Sequence, residues 1–389
     1  MKIIYFTTAQ DENDYRSFIN IWKIPLNSSN QNFHNKLIRA LATKNQVEVI
    51  SIRPFSHHNT KVRNLKSDTK VDTNITWHYL KRSGTKLHRV MQISPQISKI
   101  LAKIDLSDAV FVTDTINTSV VRSVTKINKK YKRPLIGVCT DSPSNISGTK
   151  RSYTVYLLSK CNNLDGYLAL TEGLNVLFNP NRKPSFVFEG LVEERDYSAF
   201  DEEKRPYFFF GGALMERYGV FKLIDAFKLL NNNEIDLYIC GHHGDKTKIK
   251  EAIGNAKNIK FLGLLPVNKV LEYEHNAIAC INPRPFSEDL DRFSIPSKTL
   301  EYMSAGRPVI SIRNTILMNR FEEDVIWVEN CSKDELAKAM KRVLSMTEVE
   351  RENLGDKLKN KVLGLYSLNT IGEHISQFLK QFLEQDVVD

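Results

Sequence analysis

The sequence predicts an α/β protein of two domains, each a parallel sheet covered by helices, and three observations predict it. The chain has 389 residues, long for one domain and comfortable for two. Short apolar runs alternate with helix-period segments almost from end to end, the pattern of repeated βαβ units. Between Leu191 and Pro206 that pattern breaks into LVEERDYSAFDEEKRP, polar and aperiodic, as an interdomain linker is.

In the first half the apolar runs place strands near 2–7, 47–52, 75–80, 109–113, 134–139, 165–169 and 185–188. Helical patterns near 32–44, 91–104, 116–131, 151–162 and 171–178 lie between them. A second alternation opens with FFFGG and continues with a helix near 219–231, the strand LYIC, a helix near 246–255 and the strand IKFLG. The helix VNKVLEYE, the strand AIACINP, a short helix after Pro296, the strand from Val309 to Ile312, the strand VIWVE and a helix over 333–345 follow. The final helix, near 368–386, is amphipathic. The domains therefore read 1–190, a linker 191–206, and 207–367, with the terminal segment 368–389 set apart.

Composition is that of an ordinary globular protein, 41% hydrophobic and 26% charged, without low-complexity tracts. The opening MKIIYFTTAQ reads as a strand and lacks a signal-peptide layout. No apolar stretch approaches the roughly 18 residues that cross a bilayer. The five cysteines (Cys139, Cys161, Cys240, Cys280 and Cys331) are odd in number and mostly sit in or beside apolar runs, so buried thiols and a cytoplasmic location are expected.

The net charge of +10 is unevenly spread. Residues 1–190 hold 28 Lys and Arg against 13 Asp and Glu, or +15; residues 191–389 hold 27 against 32, or −5. Clusters stand at Lys61-Arg63-Lys66-Lys70, Lys81-Arg82-Lys86-Arg89 and Lys126-Lys129-Lys130-Lys132-Arg133. Such a half is drawn to an anionic surface such as a membrane, although a solvated face accounts for any one cluster as well. No zinc-finger, helix-turn-helix or RNA-binding aromatic signature accompanies the charge, so no nucleic-acid partner is expected.

The most informative stretch is Ile281 to Ser311, INPRPFSEDLDRFSIPSKTLEYMSAGRPVIS. It reads as a strand end, a polar loop, a helix opened by Pro296-Ser297-Lys298, a stop at Gly306 and another strand. A helix N-terminus facing a strand's carboxyl end gathers unpaired N–H groups and positive dipole, and Lys298 adds a full charge. Such a place suits a diphosphate, and Glu301 can accept two hydroxyl hydrogen bonds, as a ribose offers. The same residues also serve as an ordinary capped helix between strands.

Other candidates follow the same logic. Gly211-Gly212 after FFF permit close backbone approach, and Arg217 in GGALMERYG can clamp an anion. Asp141 and Asp114 stand at strand ends, where they can meet a hydroxyl or merely close an Asx turn. Asn30 and Asn32 open a helix, where they can also act as caps. The pairs His57-His58 and His242-His243 lack ligand spacing, and no metal site is expected.

The 281–311 run resembles the donor-site signature of family-four glycosyltransferases of the two-domain GT-B type. More narrowly, it is similar to the bacterial capsular and exopolysaccharide branch, which reads N-P-R, a variable loop, then aromatic-S-x-P-S-K-x-x-E-Y-x-x-x-G-x-P-V-I. The likeness extends over most of the chain. It implies two Rossmann-like domains facing across a cleft, with the C-terminal helix crossing back to the first. It also implies a retaining, metal-independent transferase with no cofactor beyond a nucleoside-diphosphate sugar, UDP being the expected base. The expected acceptor is a cell-surface glycan or a polyprenyl-linked oligosaccharide, reached by peripheral contact with the membrane's inner face.

Residue by residue, the resemblance implies donor contacts at Gly212, Arg217, Gly241, Leu265, Glu288, Ser297, Lys298 and Glu301. It implies catalytic roles for Lys298 and Glu301 and acceptor-side roles for Asn30 and Asn32; by their placement at strand ends, Asp141 is the preferred catalytic candidate on the first domain and Asp114 an acceptor-side one. Cys240-Gly241 resembles the family's glycine loop beneath the nucleotide, and Phe261 to Leu265 the segment meeting the base. Two departures stand out. Tyr218 occupies the slot that is often basic, and Phe293 replaces the first of two glutamates eight positions apart, leaving Glu288, Asp289 and Asp291 as the nearest carboxylates. Asp289-Leu290-Asp291 formally matches the metal-binding D-x-D of unrelated glycosyltransferases but sits mid-loop in the wrong half. A catalytically silent partner subunit of the same fold is the competing expectation, carried by Phe293.

Overall fold

The structure is a computed structural model and describes all residues except 23–27, 54–64, 83–85, 146–149, 196–204, 243 and 385–389. His57-His58, His243, the basic residues Lys61 and Arg63, most of the expected linker and the last five residues therefore lie outside the described residues. The first part of the chain forms β1 (Lys2–Thr7), α1 (Glu12–Trp22), α2 (Ser28–Ala42), β2 (Gln46–Ser51), β3 (Asp68–Asp72), β4 (Ile75–Tyr79) and α3 (Lys86–Leu101). It continues through β5 (Ala109–Asp114), α4 (Thr118–Tyr131), β6 (Leu135–Cys139), α5 (Arg151–Cys161), β7 (Gly166–Ala169), α6 (Glu172–Phe178) and β8 (Ser185–Val187).

The second part forms β9 (Tyr207–Ala213), α7 (Val220–Lys228), β10 (Asp236–His242), α8 (Lys246–Ile253), β11 (Ile259–Gly263), α9 (Val267–His275) and β12 (Ala279–Asn282). Then come α10 (Glu288–Phe293), α11 (Ser297–Ser304), β13 (Val309–Ile312), α12 (Thr315–Phe321), β14 (Ile326–Val328), α13 (Lys333–Leu344), α14 (Glu348–Tyr366) and α15 (Leu368–Glu384). The chain divides into two compact units. One comprises Met1–Leu191, Arg292–Ser294 and Leu368–Asp389; the other comprises Val192–Asp291 and Ile295–Ser367.

The first unit holds an eight-stranded sheet in the order β3-β4-β2-β1-β5-β6-β7-β8. Every pairing in it is parallel except β3 with β4, so the sheet is mixed where the alternation predicts parallel strands alone. Strand β3 escapes a hydrophobic reading because all five of its residues, DTKVD, are exposed. Its return through Thr73, whose φ is 37°, makes it an edge hairpin rather than a crossover.

Alternation along β1 sorts the two faces of this sheet. Ile4 and Phe6 join the apolar cluster built with residues of α3, α4, α5 and α6. Tyr5, between them, meets His34 of α2 instead. Helix α4 buries Val120, Val121, Val124 and Ile127 at helical spacing. Asn117 caps its start by accepting from Ser119 and Val120 N–H, and Lys132 closes it in the left-handed region.

Helix α15 lies against α2 and β5. It buries Ile371, Ile375, Phe378, Leu379 and Phe382. Asn45 donates to Ser376 Oγ at 2.7 Å, and Phe378 stacks on Phe186. The second unit holds a six-stranded sheet, β11-β10-β9-β12-β13-β14, parallel throughout. Its core includes Phe208, Leu223, Ile224, Leu237, Ile239, Ile281 and Ile310.

Helix α14 does not figure among the expected elements because its apolar residues form no single stripe. Its start is nonetheless written in the sequence, since Thr347 and Glu350 form a capping box.

Two helical glycines separate propensity from packing. A Cβ on Gly364 in α14 meets nothing within 4 Å, whereas one on Gly372 in α15 collides with the Ala40 carbonyl. Gly364→Ala therefore raises stability by about 1 kcal/mol. Gly372→Ala lowers it by about 1–3 kcal/mol despite the same propensity gain. Denaturant midpoints of the two variants check this, and a gain at both positions would sink the packing argument for α15.

Candidate functional site

The site is assembled on the carboxyl edge of the second sheet, where strands end and the following helices begin. Strand β9 is apolar through Phe210 and then loses its side chains at Gly211 and Gly212. The neighbouring strand β10 does the same at Gly241, which has φ of 148° and pairs with Gly212. A Cβ at Gly241 would collide with the Gly212 carbonyl, so only glycine fits there.

Helix α11 is tied to this edge by its side chains. Tyr302 is fully buried, and its hydroxyl accepts from Gly211 N–H at 2.9 Å and donates to Gly211 O at 3.0 Å. Asn282, at the end of β12, donates to Thr299 Oγ1 at 2.7 Å, and Thr299 lies 3.4 Å from Ser311 Oγ of β13. Pro296 stands at the N-cap position of α11 and offers no side-chain hydrogen bond to the first turn. The N–H groups and dipole at Ser297 therefore face outward without a side-chain cap.

Lys298 and Glu301 follow one turn apart, with Lys298 Nζ 2.8 Å from Glu301 Oε2. A third charged group joins them. Glu274 of α9 is fully buried, and its Oε1 lies 3.6 Å from the same ammonium. Neither Glu274 oxygen accepts a hydrogen bond of good geometry. Burial pushes its carboxyl up to about 7; Lys298 and Arg195 pull it down while Glu301 pushes it further up. Burial opposes the charge on Lys298 as well, but Glu301 and Glu274 outweigh it and hold the ammonium protonated far above its usual range. Cys240, at the end of β10, has its thiol pushed up to about 12 by burial and is neutral.

A second feature lies beside the glycines. Gly219 adopts φ of 81° and packs against the Pro283 carbonyl, which also accepts from Cys331 Sγ at 3.0 Å. This holds GGALMERYG against the Asn282-Pro283-Arg284 loop. The ring of Tyr218 is flanked by two guanidinium groups, Arg217 at 5.1 Å and Arg284 at 5.7 Å from its centroid. The tyrosine in the expected basic slot thus brings two arginines with it.

The remaining expected positions are scattered more widely. Leu265 lies two residues past β11, and Glu288 opens α10 as an exposed residue. Phe293 packs against the apolar core of the first unit, where Thr171 Oγ1 donates to Arg292 O at 2.8 Å and Gly173 leaves room for that carbonyl. An apolar side chain suits that position and a carboxylate does not. Asp291 accepts from Asn314 Nδ2 and, at 3.0 Å, from Thr315 N–H, so both oxygens are engaged at the start of α12. Among the described residues no group of three His, Cys, Asp or Glu side chains could hold a metal ion.

In the first unit, Asp141 follows β6 and its Oδ1 accepts from Ser142 N–H at 2.8 Å. Asp114, the last residue of β5, is fully buried. It accepts from Ile116 N–H at 2.9 Å and lies 3.5 Å from His34 Nε2, and His34 Nδ1 in turn is 2.7 Å from the Tyr5 hydroxyl. Burial works against the Asp114 carboxylate, but His34, Ile116 and Asn30 together hold its pKa below the ordinary value. Asn30 and Asn32 sit within α2 rather than capping it, Asn30 bonded to Asp114 and Asn32 exposed.

Three residues that the geometry brings to the site have no role assigned from the sequence: Glu274, Tyr302 and Arg284, the last two standing in the E-Y and N-P-R of the 281–311 signature. Glu274 carried a signal, since it is a charge set between the apolar Val270 and Leu271 of α9 and the apolar run Ala277-Ile278-Ala279 that follows the helix. Tyr302 stands in the E-Y of the signature, but nothing local says which backbone its hydroxyl meets.

Residues 193–361 match the family described as glycosyl transferases group 1. Apart from residues 292–294, that stretch lies within the second unit, and it spans under half of the chain; it makes the unit a glycosyltransferase domain, and so part of an enzyme. No curated protein matches the chain in sequence.

Among solved structures, sucrose-phosphate synthase from Thermosynechococcus elongatus superposes with a TM-score of 0.67 at 13% identity, covering 99% of this chain and 100% of its own. The trehalose-6-phosphate synthase OtsA gives 0.68 at 12% identity, covering 98% and 99%. HepE of Anabaena, solved in complex with UDP and glucose, gives 0.64 at 12% identity, covering 98% and 100%. At these identities the likeness establishes the fold, which is the GT-B fold with two Rossmann-like domains.

Tyr302→Phe removes both hydrogen bonds to Gly211 and leaves a buried N–H and C=O without that partner. The expected cost is about 1–3 kcal/mol, read from the denaturant midpoint. An unchanged midpoint would show that the phenol does not hold α11 to β9.

Proposed function

We propose that the protein is a retaining, metal-independent glycosyltransferase that moves a sugar from a nucleoside diphosphate to a cell-surface glycan or lipid-linked acceptor. The observation that carries this reading is the start of α11. An uncapped helix N-terminus, the Lys298 ammonium and the Glu301 carboxylate stand together at a strand-end edge inside a group 1 glycosyltransferase domain. Lys298 and the helix dipole stabilise the leaving diphosphate as positive charge develops on the sugar, and Glu301 holds the ribose hydroxyls. Arg217 and Arg284, stacked on Tyr218, bring two further positive charges towards the phosphates. Ser297, Gly212 and Gly241 offer backbone, Leu265 meets the base and Glu288 reaches the donor sugar. Retention and independence of metal follow from the family resemblance, as does an acceptor-side role for Asn30 and Asn32; Asp141 and Asp114 are assigned to that side by their strand-end positions.

The acceptor side is proposed to work at an anionic membrane. No helix among the described residues is long and apolar enough to cross one. Helix α4 exposes Arg122, Lys126, Lys129 and Lys130, and the neighbouring α5 exposes Tyr153, Val155 and Tyr156 beside Lys150 and Arg151. Cations flanking exposed aromatic and aliphatic side chains suit an anionic interface. Vesicles containing anionic lipid are expected to retain the protein at low salt and release it at high salt, while neutral vesicles do not. Equal binding to both would remove the membrane from this reading.

The donor site is tested by thermal stability in UDP, GDP, ADP and CMP. UDP comes first because the Anabaena structure holds UDP and glucose. A shift of several degrees for one nucleotide, lost in both Lys298→Ala and Glu301→Ala, is the expected result. No shift with any nucleotide would favour the silent partner subunit, a reading supported by Phe293 in place of a donor-side glutamate.

A further inference from the structure

Glu274 is the charged group that the donor reading leaves without a role, and its setting is unusual. A fully buried carboxylate is normally paired and hydrogen-bonded, because desolvating it costs several kcal/mol. Here neither oxygen has a hydrogen bond of good geometry, and its partner Lys298 stands 3.6 Å away and closer to Glu301. Two carboxylates thus flank one ammonium, so the trio carries a net negative charge when all three are ionised. That is a poor reception for a diphosphate. It becomes a good one when Glu274 is neutral, because Lys298 then balances Glu301 and the helix N-terminus is left to the phosphates.

Resting on the donor-site reading above, we infer that Glu274 is a positioning residue that takes up a proton as the donor diphosphate binds beside Lys298. The incoming negative charge raises the carboxyl's affinity for a proton, the proton comes from solvent, and Lys298 is released from one of its two anions. Glu274 makes no contact with substrate; it acts through Lys298.

The other groups around it do not titrate in the same range. From α11, Lys298 and Tyr302 stay protonated, since neighbouring carboxylates and burial respectively push both well up, and Glu301 is the ammonium's closer partner. From the strand ends, burial keeps the thiols of Cys240 and Cys280 neutral, and Cys280 Sγ donates to the Glu274 backbone carbonyl at 3.5 Å. Arg195 contributes a fixed positive charge from the segment before β9. On its own helix, His275 is pushed below its ordinary value by burial and holds the Ala305 carbonyl, and Arg307 donates to the His275 carbonyl. Glu274, at about 7, is the group poised to change charge near neutrality.

The sign follows from linkage. Binding that takes up a proton strengthens as pH falls, by at most about tenfold per pH unit for one proton. Calorimetric titration of the full chain with UDP (or with GDP or ADP if the thermal screen selects it) in HEPES and in Tris measures the proton count from the difference in heat. At pH 8 the nucleotide's own terminal phosphate, with a second ionisation near about 6, is fully ionised and does not contribute. The wild type is expected to take up a substantial fraction of one proton there, and to bind about three- to tenfold more weakly at pH 8 than at pH 7.

Glu274→Gln, close in shape to the protonated acid, is expected to bind without that uptake and with nearly flat affinity over the same range. Absence of uptake by the wild type at pH 8 overturns the inference without any variant. So does the same uptake in both proteins. In either case binding itself persists and the donor-site reading stands. No binding by either protein overturns that reading and this inference with it.

Discussion

The phenol of Tyr302, held between the N–H and the carbonyl of Gly211, fixes the geometry on which the candidate site depends. Strand β9 lies inside the second sheet, and near its end Gly211 and Gly212 have no side chains to anchor anything. Helix α11 must therefore bring its own anchor. Tyr302 supplies it from the buried face, Thr299 adds a link to Asn282 and Ser311, and the opposite side of the same two turns presents Ser297, Lys298 and Glu301. A helix of eight residues has little stability of its own. Its place is set by these buried polar contacts and by the apolar packing of Leu300 and Met303.

Charge at this edge is arranged with economy. Three groups that would each be costly to bury alone are placed so that one ammonium serves two carboxylates, one of them wholly inside the domain. The thiols nearby contribute bulk without charge, since burial holds them neutral. The consequence is a site whose electrostatic character turns on a single proton at Glu274.

The loop between β12 and α11 divides its duties by residue. Arg284 stands beside Tyr218, Asp291 is committed to the start of α12, Phe293 to the apolar core of the first unit, and from Ser297 the chain opens α11 at the site. In a sequence comparison, Phe293 reads as the loss of a carboxylate. In the fold it is a packing residue beside Gly173 and Thr171, which explains why a charge there is unfavourable. Asp114 is likewise a strand-end carboxylate inside the fold, buried beside His34, which in turn meets the Tyr5 hydroxyl.

Much of this protein was legible in the sequence. Apolar alternation located β1, β2, β4 to β8 and the strands of the second sheet, because burial on both faces of a parallel sheet demands continuous apolar runs. The run from Ile281 to Ser311 disclosed the helix carrying Lys298 and Glu301, because proline, glycine and charge must stand at fixed places around a short helix start. Strand β3 and helix α14 were illegible by that route, one lacking an apolar face and the other lacking a single stripe, although the capping box of α14 was there to be read.

What only the tertiary structure decided are the meetings between distant segments: Tyr302 with Gly211, Glu274 with Lys298, Arg284 with Tyr218, Phe293 with the first unit's core. Local sequence sets which backbone conformations and which faces are available. It does not say which buried polar group will find which partner, because that is settled by packing across strands far apart in the chain.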